Sequence, residues 1–295
     1  MKRRTLLQWG ALTAAGEAAA QSAPSTRVIP SSGEAIPRVG LGTWITFNVG
    51  NDPPARARCT QVLRAFFEAG GRLVDSSPMY GSSQGVVGDG LRSLAAQQRV
   101  FSADKVWTGS DGAAQVEASR GLWQVPRFDL LQVHNLVAWE KQLPLLQKMK
   151  DEGRVRYVGI TTSEGRRHRE FEQIMRNQRL DFVQFTYNLL DRHAEQRLLP
   201  VASERGIAVL ANRPFEEGAL LRRLERFPLP PWAREIECTT WAQFALKFVI
   251  SHPAVTCAIP ATRRVDHVRE NMATARGILP DAATRQRMAA YIAGL

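Results

Sequence analysis

Leu73-Val74-Asp75-Ser76-Ser77-Pro78-Met79-Tyr80-Gly81 reads as a short buried strand that ends on an aspartate and runs into a tight turn carrying a tyrosine. Two later strand-like runs finish on polar side chains in the same way. Residues 101–106 hold Lys105, and residues 129–133 stop just before His134. A carboxylate, a phenol, an ammonium and an imidazole at the ends of three successive strands form a proton-handling set. In a (β/α)8 barrel the reactive groups sit at the C-terminal ends of strands, so all four would face one mouth.

The remainder of the chain supplies such a barrel. Strand-like runs begin near Val39, Arg72, Val100, Asp129, Val155, Asp181, Ile207 and Val255. Between them lie stretches of helical periodicity. Residues 56–69 place Cys59, Val62, Leu63 and Phe66 on one face, and residues 138–150 do the same with Leu143, Leu146 and Met149. Glu68-Ala69-Gly70-Gly71 and Lys150-Asp151-Glu152-Gly153 read as helix ends that lead into strands. Eight such alternations imply parallel pairing through right-handed crossovers. The expectation is an α/β fold of the TIM-barrel type, a single domain, for which about 250 residues is usual. Residues 25–36 are rich in Ser, Pro and Gly and suit a β-hairpin across the barrel floor. The long interval before the last strand holds residues 216–227, a Pro-rich turn at 228–231 and a helical stretch at 239–250. It reads as an elongated loop rather than a second domain. An open doubly wound sheet is the rival architecture. Its GxGxxG fingerprint is missing, because Gly40-Leu41-Gly42-Thr43-Trp44 lacks the third glycine.

Composition narrows the chemistry. The net charge of +11 raises the question of a polyanionic partner. The arginines are interleaved with Glu and Leu, not with aromatics, which reads as a solvated basic surface and not a nucleic-acid face. Cys59, Cys238 and Cys257 are far apart and read as small apolar packing groups. No HExxH occurs and the five histidines are scattered, so no metal set is expected. Gly81-Ser82-Ser83-Gln84-Gly85 spells GxSxG, but Ser83 lies well past the strand end instead of on a strand-to-helix elbow.

At the barrel mouth, Asp75 and Lys105 on adjacent strand ends would pair. The Lys105 ammonium beside the phenol would draw the Tyr80 pKa down from about 10. His134 would hydrogen-bond the same substrate oxygen that Tyr80 protonates. A Schiff-base role for Lys105, as in a barrel aldolase, stays open on the residues alone.

The N-terminal segment stands apart. Lys2-Arg3-Arg4 precedes an apolar run from Leu6 to Ala20 and the small residues Ala18-Ala19-Ala20-Gln21-Ser22-Ala23. Residues 1–24 resemble a bacterial twin-arginine signal, which implies export to the periplasm; retention in the cytoplasm is the alternative. The run is too short for a stable membrane span. Residues 25–295 would be the barrel.

In order and spacing, the segments GLGTW (40–44), VDSSPMYG (74–81), DKVW (104–107), DLLQVHN (129–135), GRVRYVGI (153–160), residues 182–188 and IPATRRVDHVREN (259–271) resemble the aldo-keto reductase family. The likeness runs from about residue 36 to about residue 292. It implies a metal-independent carbonyl reductase that uses NADPH in preference to NADH and acts on an aldehyde or ketone. Tyr80 would be the general acid, supported by Asp75, Lys105 and His134. The resemblance places Gly42, Thr43, Trp44 and Asp75 beside the nicotinamide, with Thr161, Thr162 and Gln184 at its carboxamide. Asn212 stands where many members stack a tyrosine on the ring. Arg213, Pro214, Phe215 and Gly218 would follow the pyrophosphate. Ile259, Pro260 and Ala261 would open the adenosine end, with Ala261 in place of a common lysine, and Thr262, Arg263, Arg264 and His267 would meet the 2′-phosphate. Glu270 and Asn271 would meet the adenine. Trp44, Phe47, Tyr80, Trp107 and His134, with Trp139 behind them, would wall the substrate. The departures at Thr162, Asn212 and Ala261 motivate an alternative: a nicotinamide-binding sensor or partner subunit with vestigial turnover. A monomer is expected.

Overall fold

The computed structural model describes residues 23–295, so the export-signal reading of residues 1–24 falls, but for its last two residues, outside the described part of the chain. Two short strands, β1 (Thr26–Val28) and β2 (Ala35–Pro37), pair antiparallel as the expected hairpin. The barrel strands follow, each with its helices. They run β3 (Leu41–Gly42), α1 (Pro53–Glu68), β4 (Leu73–Asp75), α2 (Ser83–Ser93), β5 (Phe101–Val106), α3 (Gly112–Trp123), β6 (Phe128–Val133) and α4 (Trp139–Asp151). The second half runs β7 (Val155–Thr161), α5 (His168–Asn177), β8 (Phe182–Thr186), α6 (Leu198–Arg205), β9 (Ala208–Asn212), α7 (Ala219–Leu224), α8 (Trp241–Ser251) and β10 (Cys257–Ala258), with α9 (Val265–Ala273) and α10 (Ala282–Ala293) closing the chain. Each barrel strand pairs parallel with its neighbour in sequence, and parallel bridges Val39–Ala258 and Gly42–Ala261 join the last strand to the first. The ring is closed.

Alternation along the strands divides the side chains between two cores. Leu73, Phe101, Ala103, Leu130, Tyr157, Phe182, Ala208, Leu210 and Cys257 fill the barrel interior, and Ile29 and Ile36 of the hairpin plug it from below. Tyr157 Oη lies 2.8 Å from Ser32 Oγ and 2.9 Å from Glu34 Oε2, and Glu34 also takes Arg72 and Arg156, so the hairpin is tied to the floor by charge as well as by packing. The opposite strand faces meet the helices. In α1, Asp52 caps the first turn by accepting from the Ala55 N–H, and Pro53 and Pro54 occupy positions that need no N–H donor. Cys59, Val62, Leu63 and Phe66 are buried as their spacing required. Burial of each large side chain is worth roughly 1.5–3 kcal/mol. Gly70, at φ +88°, ends the helix and turns the chain into β4.

The two cores hold the strands in register, and register decides which side chains reach the mouth. Asp75 pairs with Ala103, and Lys105 with Gln132, so the inward faces of β4 and β5 point polar groups into the top layer.

Candidate active site

Strand β4 ends at Asp75, and the chain then builds a platform for Tyr80. Ser77 is extended (φ −165°) and caps the single 3-10 turn Pro78–Tyr80 by accepting from the Met79 N–H. Gly81 leaves the turn at φ +60°, and a Cβ there would run into the Asn48 carboxamide, which holds Ser82 through its N–H and hydroxyl. Tyr80 is thereby turned inward and buried.

Lys105 and Asp75 meet beneath the phenol. Lys105 Nζ lies 2.6 Å from Asp75 Oδ2 and 2.8 Å from the Ser76 carbonyl oxygen. It also sits 4.9 Å from the centre of the Tyr80 ring. Gln184 Nε2 donates to the other Asp75 oxygen at 2.9 Å. His134 follows β6, and its ring meets Tyr80 edge-on at 5.6 Å between centres. His134 Nδ1 is 2.8 Å from the Ser77 hydroxyl.

Burial dominates the electrostatics. Tyr80 is pushed up to about 12, because loss of water disfavours the phenolate and Asp75 opposes the help that Lys105 gives. Lys105 does pull the phenol down as expected, but the expected net fall is corrected here: burial first, and Asp75 after it, outweigh that pull. Burial works against the Lys105 ammonium, yet Asp75 and Tyr80 together hold its pKa above the usual value. Burial, with Lys105 nearby, drives His134 down to about 2, so its imidazole is neutral.

A cleft of about 970 Å³ runs from Met79, Tyr80 and His134 to Glu270 and Asn271. That is at the upper end for a ligand pocket and suits a long ligand. Gly42, Thr43, Trp44, Asp75, Thr161, Thr162, Gln184, Asn212, Arg213, Pro214, Phe215 and Gly218 line it, as do Ile259, Pro260, Ala261, Thr262, Arg263 and His267. Lys105 lies beneath the cleft and not in its lining, and three more of the expected site residues are outside it. Phe47 is fully buried in the core between strands and helices, so it cannot wall a substrate. Trp107 is 43% exposed and lies outside the cleft, its backbone tied to the Gln115 side chain through both N–H and carbonyl. Arg264 is drawn off to Asp266. Trp139 likewise faces Glu170 through its indole N–H.

The cleft fits a dinucleotide at several points. At Gly42 a Cβ would stand 2.7 Å from the Ile259 carbonyl oxygen, so the strand ends approach closely and leave the floor flush. Asn212 donates to the Thr162 carbonyl at 2.9 Å and accepts from Thr186 at 2.8 Å, giving a polar floor. The Thr162 hydroxyl is turned to the Arg166 carbonyl at 2.7 Å. Arg213, expected along the pyrophosphate, lines the cleft but is already paired with Glu164 at 2.9 Å and Glu217 at 2.6 Å, so it does not add to the fit. Farther on, Arg263 and His267 flank the start of α9, where free N–H groups and the helix dipole favour a phosphate. Among the described residues no group of three His, Cys, Asp or Glu side chains could hold a metal.

The sequence reading missed other parts of the site. Ile45 lines the mouth at φ +62°, a conformation rarely adopted by a β-branched residue. Leu221, Phe227, Leu229 and Trp241 add apolar lining to the cleft. The Pro-rich turn marked that loop but not its folding back over the cleft. Ser77 lay in the opening motif itself, and Asp104 one residue before Lys105. Asp104 is wholly buried on the outer face of β5, where it accepts from Gln84 Nε2 at 2.6 Å and from the Lys105 N–H at 2.8 Å.

A closed (β/α)8 barrel with Asp, Tyr, Lys and His gathered at one end of a dinucleotide-sized cleft defines a class of barrel oxidoreductase. The chain belongs to the aldo/keto reductase family, whose model matches residues 38–286. It is similar to "Methylglyoxal reductase YeaE" of Escherichia coli, 29% identical over 257 residues that cover 84% of this chain and 88% of the relative. It is also similar to the "NADH-specific methylglyoxal reductase" of the same organism, 26% identical over 237 residues, covering 68% of this chain and 70% of the relative. Among solved structures, an aldo-keto reductase from Klebsiella pneumoniae in complex with NADPH superposes with a TM-score of 0.76 at 25% identity, covering 91% of this chain and 95% of that one.

Proposed function

We propose that the protein reduces the carbonyl of a small aldehyde or ketone with NADPH, and that Tyr80 is the general acid. The observation that carries this reading is the buried Asp75–Lys105 pair directly beneath the Tyr80 ring, at the head of the long cleft. The cofactor, when bound, supplies hydride to the carbonyl carbon. Tyr80 stays protonated across the neutral range and gives its proton to the carbonyl oxygen as charge develops there. Neutral His134 offers a hydrogen bond to the same oxygen. Asp75 keeps Lys105 charged next to the phenol, and that charge steadies the phenolate left after transfer. Asp75 is fixed by Gln184, so the pair cannot swing away.

Trp44, 5.0 Å from Tyr80 between ring centres, forms an apolar side of the substrate end with Ile45 and Met79. Such a wall accepts a short aldehyde or 2-oxoaldehyde, and two relatives are named for methylglyoxal. The NADPH-bound relative supports NADP(H), and Arg263 at the phosphate end supports it further.

The test is NADPH oxidation against a panel of aldehydes, 2-oxoaldehydes and quinones, with Tyr80→Phe beside the wild type. Tyr80→Phe is expected to lower kcat about 10²- to 10⁴-fold, the range a general acid supplies, with NADPH affinity unchanged. Wild-type protein that binds NADPH but oxidises it with none of the panel would favour a nicotinamide-binding sensor or partner subunit.

A further inference from the structure

The Ser77 hydroxyl links the turn that carries Tyr80 to the ring of His134 by a hydrogen bond. Ser77 Oγ accepts from the Met79 N–H at 3.2 Å and lies 2.8 Å from His134 Nδ1. Ser77 is fully buried, so its hydroxyl proton has no water to turn to.

These contacts decide which ring nitrogen carries the proton. With the hydroxyl donating to Nδ1, every group is satisfied: Oγ accepts once and donates once, Nδ1 accepts, and the ring proton rests on Nε2. With the proton on Nδ1, the ring and the Met79 N–H would both donate to Oγ. The hydroxyl proton would then be buried with no other acceptor in reach among the described residues. An unmade bond of that kind disfavours the second arrangement by about tenfold or more. The ring is also neutral, so a donor to substrate exists only if the proton is on the nitrogen away from Ser77.

We propose that Ser77 is a positioning residue of this site. Its hydroxyl donates to His134 Nδ1 and holds the imidazole as the Nε2–H tautomer, which makes His134 a hydrogen-bond donor to the substrate oxygen beside Tyr80. The catalytic half of this inference rests on the carbonyl-reductase reading; the tautomer half does not. Ser77 touches neither the reacting atoms nor the dinucleotide floor and acts only through His134 and the Tyr80 turn.

The experiment has two readouts on the full chain. Nitrogen-15 NMR of the imidazoles, with the His134 signals identified by their loss in His134→Gln, reports the tautomer without any turnover. Wild type is expected to show Nε2 protonated and Nδ1 bare. Ser77→Ala is expected to mix or invert that pattern, and Ser77→Thr to restore it, since an extended backbone accommodates a β-branched hydroxyl residue. In steady-state assays Ser77→Ala should lower kcat about tenfold with NADPH affinity held, and Ser77→Thr should recover most of it. A protonated Nδ1 in the wild type, or a pattern unchanged in Ser77→Ala, overturns the proposal. So does an unchanged kcat in Ser77→Ala. A wild type with the expected tautomer but no reductase activity on any carbonyl would instead overturn the catalytic half together with the function on which it rests. Loss of NADPH affinity along with kcat, unrescued by threonine, would mark Ser77 as a plain turn residue and sink the idea.

Discussion

Lys105 Nζ lies 2.6 Å from Asp75 Oδ2 and 4.9 Å from the centre of the Tyr80 ring, with the lysine side chain wholly buried. The ammonium is thus shared between a full negative charge and a neutral phenol, and the carboxylate takes most of it. With burial already disfavouring the phenolate, Tyr80 is raised to about 12 instead of lowered.

A pH prediction follows from the sign of that shift. Reduction needs the protonated phenol, so activity is present below the Tyr80 pKa and is lost as pH rises through it. In the free enzyme kcat/KM should therefore show no alkaline limb from Tyr80 through the neutral range. Asp75→Asn removes a charge that helps to raise the phenol, so ultraviolet titration of tyrosinate should move down in that variant. A Tyr80-dependent limb near pH 7 in the wild type would contradict the electrostatic account.

Asp104 gives a stability prediction of the opposite kind. Burial pushes its carboxyl up to about 7, against the help of Gln84 and Lys105, and Asp75 adds to the rise. A carboxyl with a raised folded pKa binds its proton more tightly in the folded state. Its stabilising share is present at low pH and falls as pH rises from about 4 to about 7, by at most ~4 kcal/mol. Asp104→Asn removes that loss. Gln84 can turn its amide over, so that its oxygen accepts from the introduced carboxamide and from the Ser119 hydroxyl, which in the wild type receives its N–H at 2.8 Å. Thermal unfolding of Asp104→Asn should thus show a higher Tm than wild type at pH 8 and little difference near pH 4. Equal Tm values at pH 8 would show that the buried carboxylate is not destabilising there.

Much of the fold was legible because barrel strands are short runs buried on both faces. The runs expected near Arg72, Val100, Val155 and Asp181 are β4, β5, β7 and β8 to within a residue or two. The helix expected over residues 56–69 is α1 at Pro53–Glu68. The four polar strand-end groups were legible for the same reason, since a charged residue ending an apolar run has few other uses. Phe47 and Trp107 were not. Both are aromatics next to the site motifs, and composition cannot tell a ring that turns into the core from one that faces a ligand. The Tyr80 shift was misjudged because sequence shows which charges are near but not how deeply each is buried. Ser77 was invisible as a partner of His134, for that contact joins loops 57 residues apart.

The Arg3-Arg4 pair carries an expectation of its own, which we propose as export of the folded barrel. Cell fractionation is the measure: a periplasmic mature form that begins near residues 21–24 is expected. A full-length cytoplasmic protein, unchanged when Arg3 and Arg4 become Lys, would refute it.

Two neighbouring arginines at the far end of the cleft have unequal prospects. Arg263 lines the cleft and has no acidic partner among the described residues, whereas Arg264 is held by Asp266 at 3.1 Å from Nε and 2.5 Å from a terminal nitrogen. A 2′-phosphate entering here would meet Arg263 and His267 at the start of α9, while Asp266 both occupies Arg264 and adds a repelling charge. Arg263→Ala should therefore weaken NADPH binding about tenfold or more and leave NADH binding nearly unchanged, which shifts the preference toward NADH. Arg264→Ala should change either affinity far less. Asp266→Asn, which frees Arg264, should tighten NADPH and not NADH. Ala261→Lys, which adds a cation on the same rim, should do likewise. Titration of each variant with both cofactors, followed by fluorescence at low and moderate salt, measures this. Equal losses of NADPH and NADH in Arg263→Ala would remove that arginine from phosphate recognition.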